Sequence, residues 1–406
     1  MAHGIPPLRP GHRLDLLQGS RDLFPALIEA IDGALNEVRL ETYIFDFTAS
    51  GADVAGALER AARRGVAVMV VVDGFGSETI SPEWHERFAL SGVQWQVYAP
   101  PGRLGLLWAG NWSRMHRKLC LIDGAIAFCG GINILDDFHD PTHGTLEHPR
   151  FDFGMRISGP LAAAVGTTME RLWHRLEAVQ RLRQVRLASA IKSLRSAPGP
   201  RGTAAAGGTT DSRPLAKAAI VLRDNVRNRG RIERAYRRAI ARAQSEVIIA
   251  NAYFVPGRKM RSALVRAARR GVKVQLLLQG RYEYFMQYYA ARPIYGTLLA
   301  AGVEIYEYAP SFLHAKVAVI DGQWATVGSS NLDPLSLLLA REANVLIEDA
   351  AFAADLRGRL VLAMAHEGKR MDPEAFAQRP LRQRISEWAA FLVMRIALAL
   401  QGKKYL

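Results

Sequence analysis

Two stretches of this 406-residue chain carry the same order of apolar and polar positions. An apolar, β-rich run over Val38–Phe47 gives way to an amphipathic segment over Ala52–Gly65, then to a second apolar run over Val66–Val72. The order returns at Val247–Phe254, Met260–Gly271 and Val272–Leu278. Short apolar runs of this kind read as buried strands, and the 3.6-residue period between them reads as a helix laid on a sheet. Gly65 and Gly271 stand where such helices stop. The strand–helix–strand order predicts an α/β sheet with helical crossovers. A later pair of runs in each half predicts a β-hairpin. Lys118–Ile122 and Ala125–Cys129 flank Asp123-Gly124, and Lys316–Ile320 and Trp324–Val327 flank Asp321-Gly322.

The likeness of the halves extends to residue identity. Tyr43-Ile44-Phe45 corresponds to Tyr253-Phe254-Val255, and Glu59–Val66 to Val265–Val272, sharing Arg-Ala-Ala-Arg-Arg-Gly-Val. Gly92-Val93 through Tyr98-Ala99-Pro100 corresponds to Gly302-Val303 through Tyr308-Ala309-Pro310. The period is roughly two hundred residues, which is a duplicated domain and not a solenoid repeat. The expected organisation is one domain over 12–180, a basic flexible linker over 181–215, a second domain over 216–375 and a basic, apolar tail over 380–406. Before its histidine the first copy holds an insert containing Leu104, Leu106, Leu107, Trp108 and Trp112.

The strongest pattern falls on the hairpins. From His116 the chain reads His-x-Lys118, four residues, Asp123, six residues, then Gly130-Gly131-x-Asn133. From His314 it reads His-x-Lys316, four residues, Asp321, six residues, then Gly328-Ser329-x-Asn331. On a strand, residues two apart share a face, so each histidine points the same way as its lysine. The return strand brings Asn133 or Asn331 back to the same sheet end, with glycine or serine allowing close backbone approach. Imidazole, ammonium and carboxamide then converge on one phosphate.

This doubled motif resembles that of the phospholipase D superfamily. The surrounding phrases Leu40–Phe45, Met115–Lys118, Ile249–Phe254 and Trp324–Pro334 resemble its short bacterial cardiolipin synthase branch, of the B type. The resemblance runs from about residue 12 to about 370. It implies two tandem, pseudo-symmetric phospholipase D-like domains, each a mixed β-sheet flanked by helices, with the active site at their interface. It implies that one histidine attacks the donor phosphorus while the other protonates the leaving alcohol and then deprotonates the acceptor; family analogy favours His116 as nucleophile. Imidazole suits both tasks near neutral pH. Lys118, Lys316, Asn133 and Asn331 would hold the non-bridging oxygens, without a metal or other cofactor. Asp152 and Glu342 stand where the family carries the carboxylates that orient the histidines. Asp123 and Asp321 complete the motif, but their turn position points to a structural part.

Charge adds a partner class. Lys and Arg number 53 against 38 Asp and Glu, a net of +15, which suits an anionic membrane surface or nucleic acid. Gln180–Thr210 holds six basic residues and no acidic one, and reads as a helix end entering a linker. In the tail, Trp388–Leu400 is apolar except for Arg395. This is short of the ~20 residues that span a bilayer and suits an interfacial or docked helix. The N-terminus, with Pro6, Pro7 and Pro10 and no apolar core, is expected to carry no secretory signal. Cys120 and Cys129 read as buried free thiols, and His139, His143 and His148 as a solvated loop whose spacing fits no zinc pattern. Ser329 is expected to cost little, with at most one added hydrogen bond to phosphate.

The expected substrate is therefore an anionic phospholipid, phosphatidylglycerol, with no nucleic acid partner. The protein is expected to sit peripherally on the cytoplasmic face of a bacterial inner membrane, through its tail and basic surface. The insert Arg103–Trp112 is a candidate acyl-chain or membrane-facing loop. Two readings stand beside the transferase: a hydrolytic phospholipase D or nuclease of the same superfamily, and a non-catalytic binder on the same fold. The intact pairs of His, Lys and Asn speak against the last.

Overall fold

Each apolar run forms a strand and each amphipathic segment a helix in the computed structural model. It describes residues 4–77, 80–100, 113–140, 143–183, 215–224, 228–281, 285–333 and 340–400. The insert Arg103–Trp112, the linker from residue 184 to 214, and Lys403 and Lys404 lie outside them. The first repeat runs β1 (Arg9–Gln18), α1 (Gly19–Asp32), β2 (Glu37–Thr42), α2 (Ala49–Arg63), β3 (Ala67–Asp73), α3 (Pro82–Ser91) and β4 (Gln94–Tyr98). It continues through β5 (Arg114–Met115), β6 (Lys118–Ile122), β7 (Ile126–Gly130), β8 (His139–Asp140), β9 (Gly144–Thr145), β10 (Phe153–Ser158) and α4 (Pro160–Arg183). The second runs β11 (Ala216–Arg223), α5 (Arg231–Arg242), β12 (Glu246–Asn251), α6 (Arg258–Arg269), β13 (Lys273–Gln279), α7 (Phe285–Leu299) and β14 (Glu304–Tyr308). After these come β15 (Lys316–Ile320), β16 (Trp324–Gly328), β17 (Ala340–Glu348), α8 (Ala350–His366), β18 (Gly368–Arg370), α9 (Pro373–Ala377) and α10 (Leu381–Leu400).

The chain divides into two compact units. One comprises Leu8–Asp136 and Gly154–Ile220. The other comprises Met1–Pro7, Asp137–Phe153 and Val221–Leu406. The segment Asp137–Phe153, which follows the first hairpin in sequence, thus belongs spatially with the second.

In the first unit the strands lie in the order β11-β1-β10-β7-β6-β2-β3-β4. β2, β3 and β4 are parallel, joined by helical crossovers, whereas β2–β6 and β6–β7 are antiparallel, giving a mixed sheet. The apolar faces of α1 (Leu23, Phe24, Leu27, Ile31) and α2 (Val54, Leu58, Ala61) close on Val38, Leu40, Val68, Val70, Cys120 and Phe128. Burying each large side chain contributes roughly 1.5–3 kcal/mol, so this cluster, not helix propensity, fixes the helices. The second unit repeats the plan in the order β18-β14-β13-β12-β15-β16-β17, with β12, β13 and β14 parallel and β12–β15 and β15–β16 antiparallel. Gly65 and Gly271 take φ of 89° and 90° just past α2 and α6, the left-handed stop that other residues adopt at a cost.

Both hairpins form, with loops one residue longer than the predicted pair. Ile122 pairs with Ile126, and Ile320 with Trp324. Asp123 and Gly124 (φ 49° and 67°) and Asp321 and Gly322 (φ 52° and 61°) all take the left-handed region. The aspartates accept that conformation because their carboxylates collect backbone donors. Asp123 accepts from the N–H groups of Leu35, Asn36 and Glu37 at 2.7–2.9 Å. Asp321 accepts from those of Gln244, Ser245 and Glu246 at 2.9 Å.

The tail is a helix that buries only one side. Glu387, Ala390 and Phe391 of α10 are buried, and the helix packs against α7. Leu381, Ile385, Trp388, Leu392, Val393 and Ile396 are exposed. No helix among the described residues is long and apolar enough to cross a membrane.

Candidate active site

The first motif is built where β6 leaves β2. Lys118 faces Gly130 on β7, which in turn faces Gly154 on β10, so on that side the lysine meets no neighbouring side chain. Lys118 is buried, and its Nζ donates to the His116 carbonyl at 3.0 Å while lying 5.4 Å from the Tyr43 ring centre. The same ring flanks the His116 imidazole at 5.0 Å. Asn133 is fixed by its own carbonyl oxygen, which accepts the Ile44 N–H at 3.1 Å and leaves the amide hydrogens for another acceptor. Arg117, between the histidine and the lysine, pairs with Glu41 at 2.8 Å in a buried ion pair. The second motif has Ala315 and Asn251 at the matching places. Cys120 and Cys129 are buried free thiols, and burial pushes the Cys129 thiol up to about 12.

The second motif carries its own carboxylate. His314 Nδ1 lies 2.6 Å from Asp152 Oδ2, and the other oxygen of Asp152 accepts the Phe153 N–H at 2.8 Å. The register comes from a short parallel contact in which Phe151 lies beside Leu313. The Phe151 N–H donates to the Phe312 carbonyl at 3.0 Å, and the His314 N–H to the Phe151 carbonyl at 2.9 Å. Lys316, fully buried, donates to the His314 carbonyl and stands 3.9 Å from Asp152. Order along the chain pairs Asp152 with His116; the structure gives it to His314, because Asp137–Phe153 crosses into the second unit.

Beyond the strand end, Gly328 admits no side chain. A Cβ there would lie 2.4 Å from the Ala343 carbonyl oxygen. Ser329, expected to cost little and to add at most one hydrogen bond to phosphate, donates its hydroxyl to Glu342, which is fully buried. Asn331 is buried, and its side-chain oxygen has no hydrogen-bond partner among the described residues. Asp123 and Asp321 stand at the far end of their hairpins, five residues of strand or about 16 Å from the lysines. They brace the turn, the structural part that their position pointed to, and stand apart from the site.

One pair of positioning residues was not singled out in the sequence. The N–H of Met115, immediately before His116, donates to Asp73 at 2.7 Å. The N–H of Leu313, immediately before His314, donates to Gln279 at 2.9 Å. Asp73 and Gln279 occupy the same place in the two repeats, eight residues after Gly65 and Gly271, so aligning the halves would have paired them. Burial pushes the Asp73 carboxyl up, against the pull of the Met115 and Phe75 N–H groups. No cluster of three or more His, Cys, Asp and Glu side chains among the described residues is placed to hold a metal ion.

Two mixed sheets, each ending in a buried lysine beside a histidine with an asparagine on the returning chain, define the phospholipase D-like class. The family described as "Cardiolipin synthase, PLD-like domain" matches residues 27–139 and 236–360, and the chain belongs to it. Among its relatives, cardiolipin synthase B of Shigella flexneri is 35% identical over 404 residues, covering 97% of this chain and 90% of that one. Cardiolipin synthase B of Escherichia coli gives the same figures. Cardiolipin synthase A of Cronobacter sakazakii is 29% identical, covering 93% and 74%. Among solved structures, phosphatidylserine synthase of Haemophilus influenzae superposes with a TM-score of 0.69. The match covers 98% of this chain and 97% of that one at 13% identity, a likeness of fold.

Proposed function

We propose that the protein is a phosphatidyltransferase that makes cardiolipin from two molecules of phosphatidylglycerol, through a phosphohistidine and without a metal. The observation that carries this reading is the near full-length likeness to cardiolipin synthase B together with two complete His, Lys and Asn sets. In the first step His116 Nε2 attacks the phosphorus of one phosphatidylglycerol, and glycerol departs with a proton from His314. In the second, the primary hydroxyl of another phosphatidylglycerol gives its proton to His314 and attacks phosphorus, releasing His116 and cardiolipin. The acid–base part of His314 is supported by Asp152, which holds Nδ1 and steadies the imidazolium, leaving Nε2 to exchange the proton. Lys118, Lys316, Asn133 and Asn331 supply the donors that meet the charge on the phosphoryl oxygens.

The same proposal places the protein peripherally on the cytoplasmic face of a bacterial inner membrane. Its support is the exposed row Leu381, Ile385, Trp388, Leu392 and Ile396 on α10, spaced by three or four residues, with exposed Arg382 and Arg384 alongside. The test is purified protein on phosphatidylglycerol vesicles in EDTA, with lipids read by mass spectrometry and glycerol assayed. Equal amounts of cardiolipin and glycerol, undiminished by EDTA, are expected. Phosphatidic acid in place of cardiolipin would make the protein a hydrolase, and loss of turnover in EDTA would overturn the metal-free step.

A further inference from the structure

The segment that supplies Asp152 carries a second imidazole–carboxylate pair with no part in the chemistry above. His143 Nδ1 lies 2.9 Å from Asp140 Oδ1, which also accepts the His143 backbone N–H at 2.9 Å, and Arg150 donates to Asp140 Oδ2 at 2.7 Å. With Nδ1 so engaged, Nε2 faces away from the carboxylate, and the side chain is 39% exposed. The His143 ring lies 5.0 Å from the Phe312 ring, and the Arg281 guanidinium lies 5.4 Å from that same ring. Arg281 is exposed, donates to the Pro310 carbonyl at 3.5 Å, and pairs with no carboxylate among the described residues. Arg150 offsets the charge of Asp140, so Arg281 leaves the cluster positive overall.

Phe312 ties this cluster to the reacting histidine. Phe312 and His314 are two residues apart on the stretch that lies beside Phe151, about 7 Å in extended chain. Cardiolipin formation joins two phosphodiesters through one glycerol, and a three-carbon bridge covers a comparable span. The acceptor lipid must therefore present a second negative charge about that far from the phosphorus under attack. The Arg281 guanidinium, paired with no carboxylate among the described residues, and the exposed His143 ring flank Phe312 there.

We propose that Arg281 and His143, flanking Phe312, bind the phosphodiester of the acceptor phospholipid and so favour a lipid hydroxyl over water or glycerol. The proposal rests on the transferase reading, and one comparison separates them. With full-length protein in mixed micelles, cardiolipin formation is measured beside exchange of labelled glycerol into phosphatidylglycerol, which uses the donor side and an uncharged acceptor.

A hydrogen bond to a charged group is worth about 1.5–3 kcal/mol, or roughly 10- to 100-fold. R281Q and H143Q are expected to lower cardiolipin formation at limiting lipid by that factor while glycerol exchange holds, and R281K to recover most of the loss. Glycerophosphoglycerol, the same acceptor without acyl chains, should be preferred to glycerol by the wild type and not by R281Q. Parallel loss of both reactions, no loss in either, or a wild type indifferent between the two soluble acceptors overturns the subsite. A wild type that makes no cardiolipin from phosphatidylglycerol overturns the transferase reading itself.

Discussion

Replacing Asp152 by asparagine isolates one charge without changing shape. Asp152 is buried, 2.6 Å from His314 Nδ1 and 3.9 Å from the Lys316 ammonium. Asparagine keeps an oxygen for the Phe153 N–H, so the local backbone is retained. What goes is the anion facing an imidazole that is positive before the first step and becomes positive again in the second. At ~4 Å and an effective dielectric near 20, one such charge pair is worth about 4 kcal/mol. Each 1.36 kcal/mol is about tenfold in rate, so D152N should lower kcat roughly a thousandfold. An amide that donates to Nδ1 would also select the wrong imidazole tautomer, which deepens the loss. The assay is cardiolipin formation under saturating lipid, with circular dichroism and thermal melting to verify the fold. The KM for lipid should move little, since the carboxylate faces the histidine. A well-folded D152N within about tenfold of wild type would refute the view that this carboxylate supports the proton-transferring histidine.

Four further outcomes are expected. G328A should fail to accumulate as folded, active enzyme, because its methyl group would overlap the Ala343 carbonyl; soluble expression and turnover are the readouts. D321A tests the turn. Burial pushes the Asp321 carboxyl up, but the N–H groups of Glu246, Ser245 and Gln244 and the Ser245 hydroxyl outweigh it and hold it below the usual carboxylate range. Its contribution is therefore present above the unfolded pKa of ~3.9 and lost as pH falls through the lower folded value. D321A should be about 1 kcal/mol less stable at pH 7 in urea melts, with the gap closing below pH 4. Iodoacetamide should leave the native enzyme active and unlabelled at pH 8, because burial pushes both thiols up; labelling of Cys129 without denaturant would contradict that burial. Changing Ile385 and Trp388 to serine should weaken vesicle binding in flotation assays while activity in detergent micelles persists.

The motif hairpins were legible because their information is local. A two-residue alternation fixes which side chains share a face, and Asp-Gly fixes where the chain turns back. The helix stops at Gly65 and Gly271 were legible for the same reason. The partner of His314 was not. Hydrogen bonding between residues 162 positions apart leaves no periodicity, and counting forward from each histidine assigns Asp152 to the wrong one. Asp73 and Gln279 were not legible because they differ in charge while doing the same thing, accepting the backbone N–H just before the histidine. The partner of Ser329 was not legible either, since the buried carboxylate of Glu342 that takes its hydroxyl comes from the next strand.

The trade of Asp137–Phe153 into the second unit has a consequence for the history of such chains and for splitting them. A fragment starting at residue 215 would retain His314, Lys316, Asn331 and Glu342, yet lack Asp152 and the Phe151 backbone that aligns it. Its histidine would be an orphan. Supplying the other fragment separately should restore what neither piece holds, which makes the two halves complementing partners and not modules. Once a duplicated chain is wired so that one copy completes the other, losing either copy is no longer a route back to a smaller enzyme.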